Sequence, residues 1–514
     1  MALDCDHDLR LVCIDGSMGN CNTNVVMKTM KLQERFMMKR RTFLKAAGIA
    51  GTGVMLGAPV SRSASQRSGK QPNIVFLLAD DLGYGDLGCY GQKRIPTPHI
   101  DRLAREGMKF TNFYAGSTVC APSRCSLMTG LHTGHAPIRG NKWVDGVGVA
   151  PLPKKYPTIA ESIKDGSDYV TAMCGRWHLG GEKSKQQPSM RGFDYTFGKL
   201  SSLFHTHSSY FIDPLFGYEG EHVPFEQYSD IHYEPMYENG ELYDLESRFS
   251  KQRPIEMDEL NTEKAIEFIK AHKHKPFFLY MPFALVHAPM EMHPSKQFED
   301  KDWPFEEKAF ASMLVFLDDL VGRVLKTLKT EGLEDDTVVI FTSDNGPHYE
   351  DGHSFNFFDS NGPLKGGKRD LYEGGIRMPF LARWPGKIKP GTQTDHISAF
   401  WDLKATFCDI AGANPPDRTD GISVLPALLG EFQQKKHDYL YWEFHGGESS
   451  KQAIRMEKWK GVRLSPDAPV ELYDLSEDIG EEHNVAQQHP GLVKNIEQLF
   501  RDARTEHPDY PLKG

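Results

Sequence analysis

The sequence predicts an α/β protein: a large, mostly parallel sheet flanked by helices, followed by a smaller C-terminal unit of sheet plus helix. Three observations carry this. Asn73–Ala79 and Thr337–Thr342 are continuous apolar runs, the pattern of strands buried on both faces rather than strands with one wet face. Helical segments with recognisable starts and stops alternate with further short apolar runs between them, the βα alternation of a parallel sheet. From about residue 434 the pattern changes to short strand-like pieces, Tyr439–Phe444, Ala453–Lys458, Lys460–Leu464 and Val470–Tyr473, and a closing helical segment, Pro490–Arg504.

Taken in order, the first apolar run ends in Asp80-Asp81 and a Gly83-Tyr84-Gly85 turn. Thr97-Pro98 is expected to open a helix as cap and first-turn proline, with Ile100 and Leu103 facing inward and Gly107 closing it. Thr158 and Glu161 are spaced as a capping box, and Gly166 stops that helix. Tyr169–Cys174 predicts a strand running into Gly175-Arg176-Trp177-His178-Leu179-Gly180. Residues 201–253 are rich in His, Tyr, Phe, Ser and Gly without a period, and are expected to form long loops. Thr262–Ala271 predicts a helix, and Pro276–Met281 a strand that leads to His287. Phe310, Met313, Leu314, Leu317, Val321, Val324 and Leu328 lie on one face of a long amphipathic helix. The second buried strand ends in Ser343-Asp344-Asn345-Gly346.

The N-terminus has a different character. Lys39-Arg40-Arg41-Thr42-Phe43-Leu44-Lys45 precedes an apolar run, Ala46 to Val60, and small polar residues, Ser61 to Ser65. That is the three-part plan of an export signal, too short and Gly-rich for a membrane span. The paired arginines resemble a bacterial twin-arginine signal, which implies a periplasmic or secreted protein. Met37 or Met38 is a natural start. The expected organisation is therefore an extension over 1–36, a signal peptide over 37–65, a main domain over 71–433 and a C-terminal subdomain over 434–514.

The formal net charge is −10, which argues against a nucleic-acid partner and against a polybasic membrane patch. An anionic ligand must then be drawn by a local cationic cluster, and screening over roughly 8 Å permits that. Beyond the signal the cysteines are Cys89, Cys120, Cys125, Cys174 and Cys408, a sparse, odd set that is no disulfide framework. Cys120 and Cys125 lack the Cys-x-x-Cys spacing, and no partner pair follows, which disfavours a metal or redox pair.

The stretch with most chemistry is Cys120-Ala-Pro-Ser-Arg-Cys-Ser-Leu-Met-Thr-Gly130. Pro122 suits a helix first turn, and Leu127, Met128 and Leu131 recur at helical spacing. Cys120 is thus expected just ahead of a helix N-terminus, where unpaired N–H groups favour an anion. Arg124 adds a guanidinium one turn in, shaped for a tetrahedral oxyanion. In open α/β sheets ligands bind beyond the carboxyl ends of strands, and Asp80-Asp81 and Asp344-Asn345 both stand there. A lone acidic pair at a strand end is more often a turn or cap. Two such ends can converge on one hard cation, which is Ca²⁺ rather than Zn²⁺ chemistry.

The string from Cys120 to Gly130 resembles the signature of the type I sulfatases. Other stretches match in family order: Asp80-Asp81, Gly175–Gly180, Leu285-Val286-His287-Ala288-Pro289, Asp344-Asn345-Gly346, Leu364–Lys368 with Tyr372–Pro379, Asp420-Gly421, and Glu471 through Asn484. Arg176 departs from the lysine usual in the family; it keeps the charge but exchanges a point charge for a planar fork. The resemblance implies an alkaline-phosphatase-like fold. It also implies that Cys120 is oxidised by a maturation enzyme to Cα-formylglycine, whose hydrate is the nucleophile. Asp80, Asp81, Asp344, Asn345 and modified residue 120 would hold one Ca²⁺. Arg124, Arg176 and Lys368 would carry the sulfuryl charge, His287 or Lys368 would protonate the departing alcohol, and His178 would act as base in releasing sulfate. His135 and Arg139 follow the signature helix closely and are expected at most to support it, and His353 has no assigned role.

The expected substrate is a sulfated carbohydrate, with an aryl sulfate as a small substitute. His205, His207 and Tyr210, with Phe211, are expected to contact the sugar, since aromatic faces stack on rings and imidazoles bond hydroxyls. Two alternatives remain at this level: a phosphonate monoester or phosphodiester hydrolase with the same modified cysteine, and an exported glycan-binding relative without activity.

Overall fold

Along the chain the strands are β1 (Asn73–Ala79), β2 (Met108–Tyr114), β3 (Val170–Arg176), β4 (Tyr195–Lys199), β5 (Phe204–His205), β6 (His232–Tyr233), β7 (Tyr237–Glu238), β8 (Glu241–Leu242), β9 (Phe277–Pro282), β10 (Thr337–Ser343), β11 (Arg377–Arg383), β12 (Thr392–Thr394), β13 (Ser398–Ala399), β14 (Leu440–His445), β15 (Ser450–Met456), β16 (Trp459–Arg463) and β17 (Glu471–Asp474). The helices are α1 (Pro98–Glu106), α2 (Cys120–Thr129), α3 (Ile159–Lys164), α4 (Pro254–His272), α5 (Phe305–Thr330), α6 (Glu373–Ile376), α7 (Phe400–Ala411), α8 (Leu425–Leu428) and α9 (Pro490–Asp502). This computed structural model describes residues 71–141, 150–181, 187–200, 204–205, 232–233, 235–245 and 254–514.

The large sheet runs β12-β2-β11-β10-β1-β9-β3-β4-β7-β8, with β13 also against β2. Its centre, β10-β1-β9-β3-β4, is parallel throughout. β11 runs antiparallel to β10 and to β2. Every residue of β1 and of β10 is buried, as their unbroken apolar runs require. Alternate residues of β1 serve two cores. Val75, Leu77 and Ala79 pack with Leu103 of α1, Ile269 of α4 and Leu314 and Leu317 of α5. Ile74, Phe76 and Leu78 pack with Leu127 of α2, Ile163 of α3 and Leu403 and Phe407 of α7. Helices therefore cover both faces. Ala79 pairs with Ser343, so Asp80 and Asp344 leave the sheet side by side.

The C-terminal sheet, β14-β15-β16-β17, is antiparallel and buried on both faces. Trp442, Phe444 and Val462 pack on Tyr114, Ile376 and Trp401 of the main body, while Tyr441, Ile454 and Leu472 pack under Ile496 and Phe500 of α9.

Some expectations need correction. The Thr158–Glu161 capping box forms, but Thr97 makes no side-chain cap for α1. The Asp318 carboxylate on α5 takes its place, accepting from His99 N at 3.1 Å and Ile100 N at 2.7 Å. A charged acceptor suits a helix N-terminus better than a hydroxyl, and Thr97 Oγ1 instead accepts from Gly88 N. α4 begins at Pro254 rather than Thr262, because Ile255, Met257 and Leu260 extend its buried face. β2 and β11 carry no clear strand signal. β11 contains Pro379, which the sheet tolerates through a register shift between Met378 and Phe380.

Arg139 and His135 prove to be structural ties. Arg139 donates to Glu443 of β14 at 2.8 Å, and His135 pairs with Asp420 at 3.0 Å. Glu443 is fully buried and also accepts from Arg504 and Tyr441 at 2.8 and 2.7 Å. Burial alone would raise its carboxyl, but His445, Arg139 and Arg504 hold it at about 2. A depressed folded value contributes stability that is present above the free-carboxyl value of 4.5 and is lost as pH falls toward about 2. Glu443→Gln should cost roughly 3–5 kcal/mol at neutral pH, since it removes the charge opposite the buried Arg139 and one of two carboxylates on Arg504. In thermal melts the gap between wild type and variant should narrow as pH falls through that window; a constant gap would show that the ion cluster is not its source.

Candidate active site

Four adjacent parallel strands deliver the site at their carboxyl ends. Asp80 and Asp81 follow β1, Asp344 and Asn345 follow β10, Arg176 ends β3 with His178 just beyond, and His287 lies past β9. Close backbone approach makes this possible: a Cβ on Gly175, whose φ is +145°, would sit 2.0 Å from the Pro282 carbonyl oxygen of β9. Asp81 and His178 adopt φ of 61° and 57°, a left-handed conformation costly for non-glycine residues, and one that clusters at functional sites.

α2 adds Cys120 and Arg124 from the side. Cys120 is the first residue of the helix, not the residue before it; Val119 is the cap. One of the N–H groups at this helix end is already taken, since Ala121 N donates to Asn141 Oδ1 at 3.2 Å. The Asn141 amide also lies 3.6 Å from Cys120 Sγ. Burial, the largest influence, raises the Cys120 thiol, so it is not a poised thiolate.

Arg124 is completely buried. Its Nε donates to Asp344 Oδ2 at 2.9 Å, and its second terminal nitrogen donates to Asp80 Oδ2 at 2.8 Å. Arg176 donates to the same Asp80 oxygen at 2.5 Å and lies 3.3 Å from His178 Nε2. Burial would raise Asp80, yet Arg176 and Arg124 hold it well below the usual carboxylate range. Asp344 moves the other way, raised by burial and by the Asp80 charge. On the other side Lys368 Nζ donates to Asp81 Oδ2 at 2.8 Å and to Glu350 Oε2 at 3.0 Å, and lies 3.4 Å from His287 Nε2. Asn345 Nδ2 donates to Asp81 Oδ1 at 2.6 Å. Burial, aided by Arg176, lowers His178, and burial with Lys368 lowers His287; both imidazoles are neutral.

Cys120, Arg124, Arg176, His178, His287, Lys368, Asp80, Asp81, Asp344 and Asn345 thus lie in one buried cluster. His205 stands on β5, with its side chain outside what the structure describes; His207 and Tyr210 lie outside the described residues. Glu350 was not visible from sequence. It is 3% exposed and also accepts from Arg369 at 2.6 Å. Its only signal is position, a few residues beyond Asp344-Asn345-Gly346 in the same loop.

The residues fit a hard divalent cation. Asp80 Oδ1 and Asn345 Oδ1 are buried with no hydrogen-bond partner, the state in which a ligand oxygen is left when its ion is not counted. The carboxylate oxygens of Asp80 and Asp81 lie within 4.8 Å of one another and of a ring nitrogen of His287, and Asp344 and Asn345 add further oxygens, a set dominated by hard donors. Asp80, Asp81, Asp344 and Glu350 balance Arg124, Arg176, Lys368 and Arg369, so a divalent cation would leave the cluster positive and suited to an anion.

The family profile described as Sulfatase matches residues 72–413. A second, described as N-sulphoglucosamine sulphohydrolase, C-terminal, matches residues 366–506. The N-acetylgalactosamine-6-O-sulfatase of Bacteroides thetaiotaomicron is 32% identical, over 87% of this chain and 95% of that protein. The human N-acetylgalactosamine-6-sulfatase is 34% identical over 70% of this chain and 66% of that one. The solved structure of Ps i-CgsB in complex with k-i-k-neocarrahexaose superposes with a TM-score of 0.70 at 27% identity, covering 84% of this chain and 93% of the other. Among the described residues no helix is long and apolar enough to cross a membrane. With this site and these relatives, the chain belongs to the sulfatase family, sulfuric ester hydrolases of alkaline-phosphatase-like fold.

Proposed function

We propose that this sulfatase hydrolyses sulfate esters of carbohydrates, with Cys120 matured to Cα-formylglycine and one Ca²⁺ held by Asp80, Asp81, Asp344, Asn345 and residue 120. The observation that carries the reading is the buried cluster of Arg124, Arg176 and Lys368 around carboxylates with orphaned oxygens. The similarity to sulfatases named for N-acetylgalactosamine 6-sulfate supports a sugar substrate.

When bound, the metal supplies Lewis-acid charge, and the matured residue 120 supplies a hydrated aldehyde whose second hydroxyl allows sulfate to leave by elimination. The chain's own residues do the rest. Arg124 is immobile, fixed by Asp80 and Asp344, and orders the metal-binding carboxylates. Arg176 carries a guanidinium beside residue 120 and offers a planar fork to sulfuryl oxygens. Lys368, paired with Asp81 and Glu350, keeps its proton, since those carboxylates outweigh burial and raise it. It stands beside neutral His287, so that pair is placed to protonate the departing alcohol oxygen. His178 is neutral, and because Arg176 can only donate to its Nε2, Nδ1 carries the ring proton; Nε2 is the nitrogen able to accept the proton whose removal expels sulfate.

The same reading takes 71–433 as the catalytic domain and 434–514 as a subdomain that braces it. It takes the leader with Arg40 and Arg41 as a twin-arginine export signal to the periplasm or beyond, which sequencing the mature N-terminus would read directly. Sugar selection by His205, His207 and Tyr210 belongs to it as well.

The test compares substrates on one sample. Purified protein should cleave N-acetylgalactosamine 6-sulfate or a related sugar sulfate far faster than a phosphate diester or phosphonate ester. It should contain stoichiometric Ca²⁺, and Asp344→Ala should lose metal and rate together. Preference for the phosphorus ester, or Asp344→Ala with full Ca²⁺ and normal rate, would overturn the reading.

A further inference from the structure

A cavity of about 500 Å³ lies where the small antiparallel sheet meets the edge of the large one, a size suited to a small ligand. Asn112 of β2, Arg377 at the start of β11, the loop before β13 and the turn between β15 and β16 border it, and none of the active-site cluster does. Leu440 and Leu475 give it apolar wall.

Two guanidiniums converge here on one amide oxygen and one shared carboxylate. Arg377 and Arg455 are 7% and 6% exposed. Both donate to one neutral oxygen, Asn112 Oδ1, at 2.5 and 3.1 Å. The carboxylate behind them, Glu373, is shared three ways: its Oε2 lies 3.1 Å from Arg377 and 3.7 Å from Arg455, and its Oε1 accepts from Lys460 at 2.8 Å. Burial pulls the Arg455 guanidinium down to about 10 against the Glu481 charge, and burial pushes Glu481 itself up to about 7. At the mouth stand the exposed Lys436 and Lys458, the latter paired with Asp474 at 2.6 Å, beside the exposed acids Asp395 and Glu457. The lining holds four Lys and Arg against two Asp and Glu, and Glu373 and Asp474 add negative charge from just behind it. A small cavity bordered by two fork-shaped donors suits a sulfate-type oxyanion.

We propose that this cavity is a second anion site, where Arg377 and Arg455 hold a sulfate group outside the catalytic cluster. The group can come from free inorganic sulfate, the product, or from a second sulfate on an acidic saccharide. The site does not depend on the chemistry at Cys120.

Calorimetric titration with sodium sulfate should find two sulfates per chain in wild type and one in Arg455→Gln, which should keep unchanged turnover of a small aryl sulfate. The double variant Lys436→Gln/Lys458→Gln changes only exposed side chains and should weaken the second site roughly three- to tenfold, which decides the matter if Arg455→Gln does not fold. A repeat titration with N-acetylgalactosamine 6-sulfate in Cys120→Ala separates the sources. Tighter binding than inorganic sulfate at the second site identifies a saccharide, and equal affinity identifies the free ion. One sulfate in wild type that persists in Arg455→Gln, or two of unchanged affinity in folded Arg455→Gln and in the lysine double variant, would overturn the proposal.

Discussion

Cys120→Ala should abolish sulfate ester turnover, a loss on the order of 10⁶-fold or more, the lower range of enzymic acceleration, with no matching loss of stability. The residue sits in the first turn of α2 at 2% exposure, and its hydrogen bond with the Asn141 amide is long, at 3.6 Å. Removing a single sulfur there costs little packing. The chemistry is another matter. Burial raises the thiol, so the unmodified side chain is a poor nucleophile at neutral pH, and the S-sulfocysteine formed by its attack on sulfur, with the alcohol leaving, would have no second hydroxyl through which to release sulfate. Activity should therefore track the fraction of protein in which residue 120 is the aldehyde, read by the mass of its peptide. Thermal melts should coincide for wild type and variant. Full turnover in a sample whose peptide carries only the thiol would overturn the proposed nucleophile.

The parts of this protein that the sequence exposes are those where one physical demand acts on neighbouring residues. β1 and β10 are buried on both faces, so their apolar runs are unbroken and both acidic ends are visible at once. The parts it hides depend on residues far apart in the chain. α1 is capped by Asp318, more than two hundred positions away, and no local pattern announces that. Arg139 looks like a companion of the signature helix because it is close in sequence, yet its carboxylate is Glu443 on another sheet. Glu350 is the same case inside the site. Its spacing matches no motif, and only folding brings it to Lys368. β11 fails for a different reason: its local signal contains a proline, and the register shift that accommodates it is a property of the pair β2–β11 rather than of either strand.

Glu350 also sharpens what Lys368 is for. A lysine between two buried carboxylates stays charged, which suits a proton donor or an electrostatic clamp, and these roles differ in how they depend on the leaving group. A sugar alcohol is a poor leaving group and needs its proton as the S–O bond breaks; an activated phenol leaves as its anion. Lys368→Met should thus lower kcat/KM on a sugar sulfate by about 10²–10⁴-fold, and by roughly tenfold or less on an activated aryl sulfate. Glu350→Gln should shift the two rates the same way but less, because the ammonium remains and only its anchor at 3.0 Å is weakened. Either variant leaves buried charge unpaired and lowers stability, but the ratio of two rates on one sample is independent of how much of it is folded. Equal losses on both substrates would assign Lys368 to holding the sulfate, and the proton would then have to come from another group. His287, at 3.4 Å, is held neutral by burial and by that same lysine, so Lys368→Met would free it to take up a proton, and a partial rescue of the sugar sulfate rate at lower pH in that variant would show the pair working as one donor.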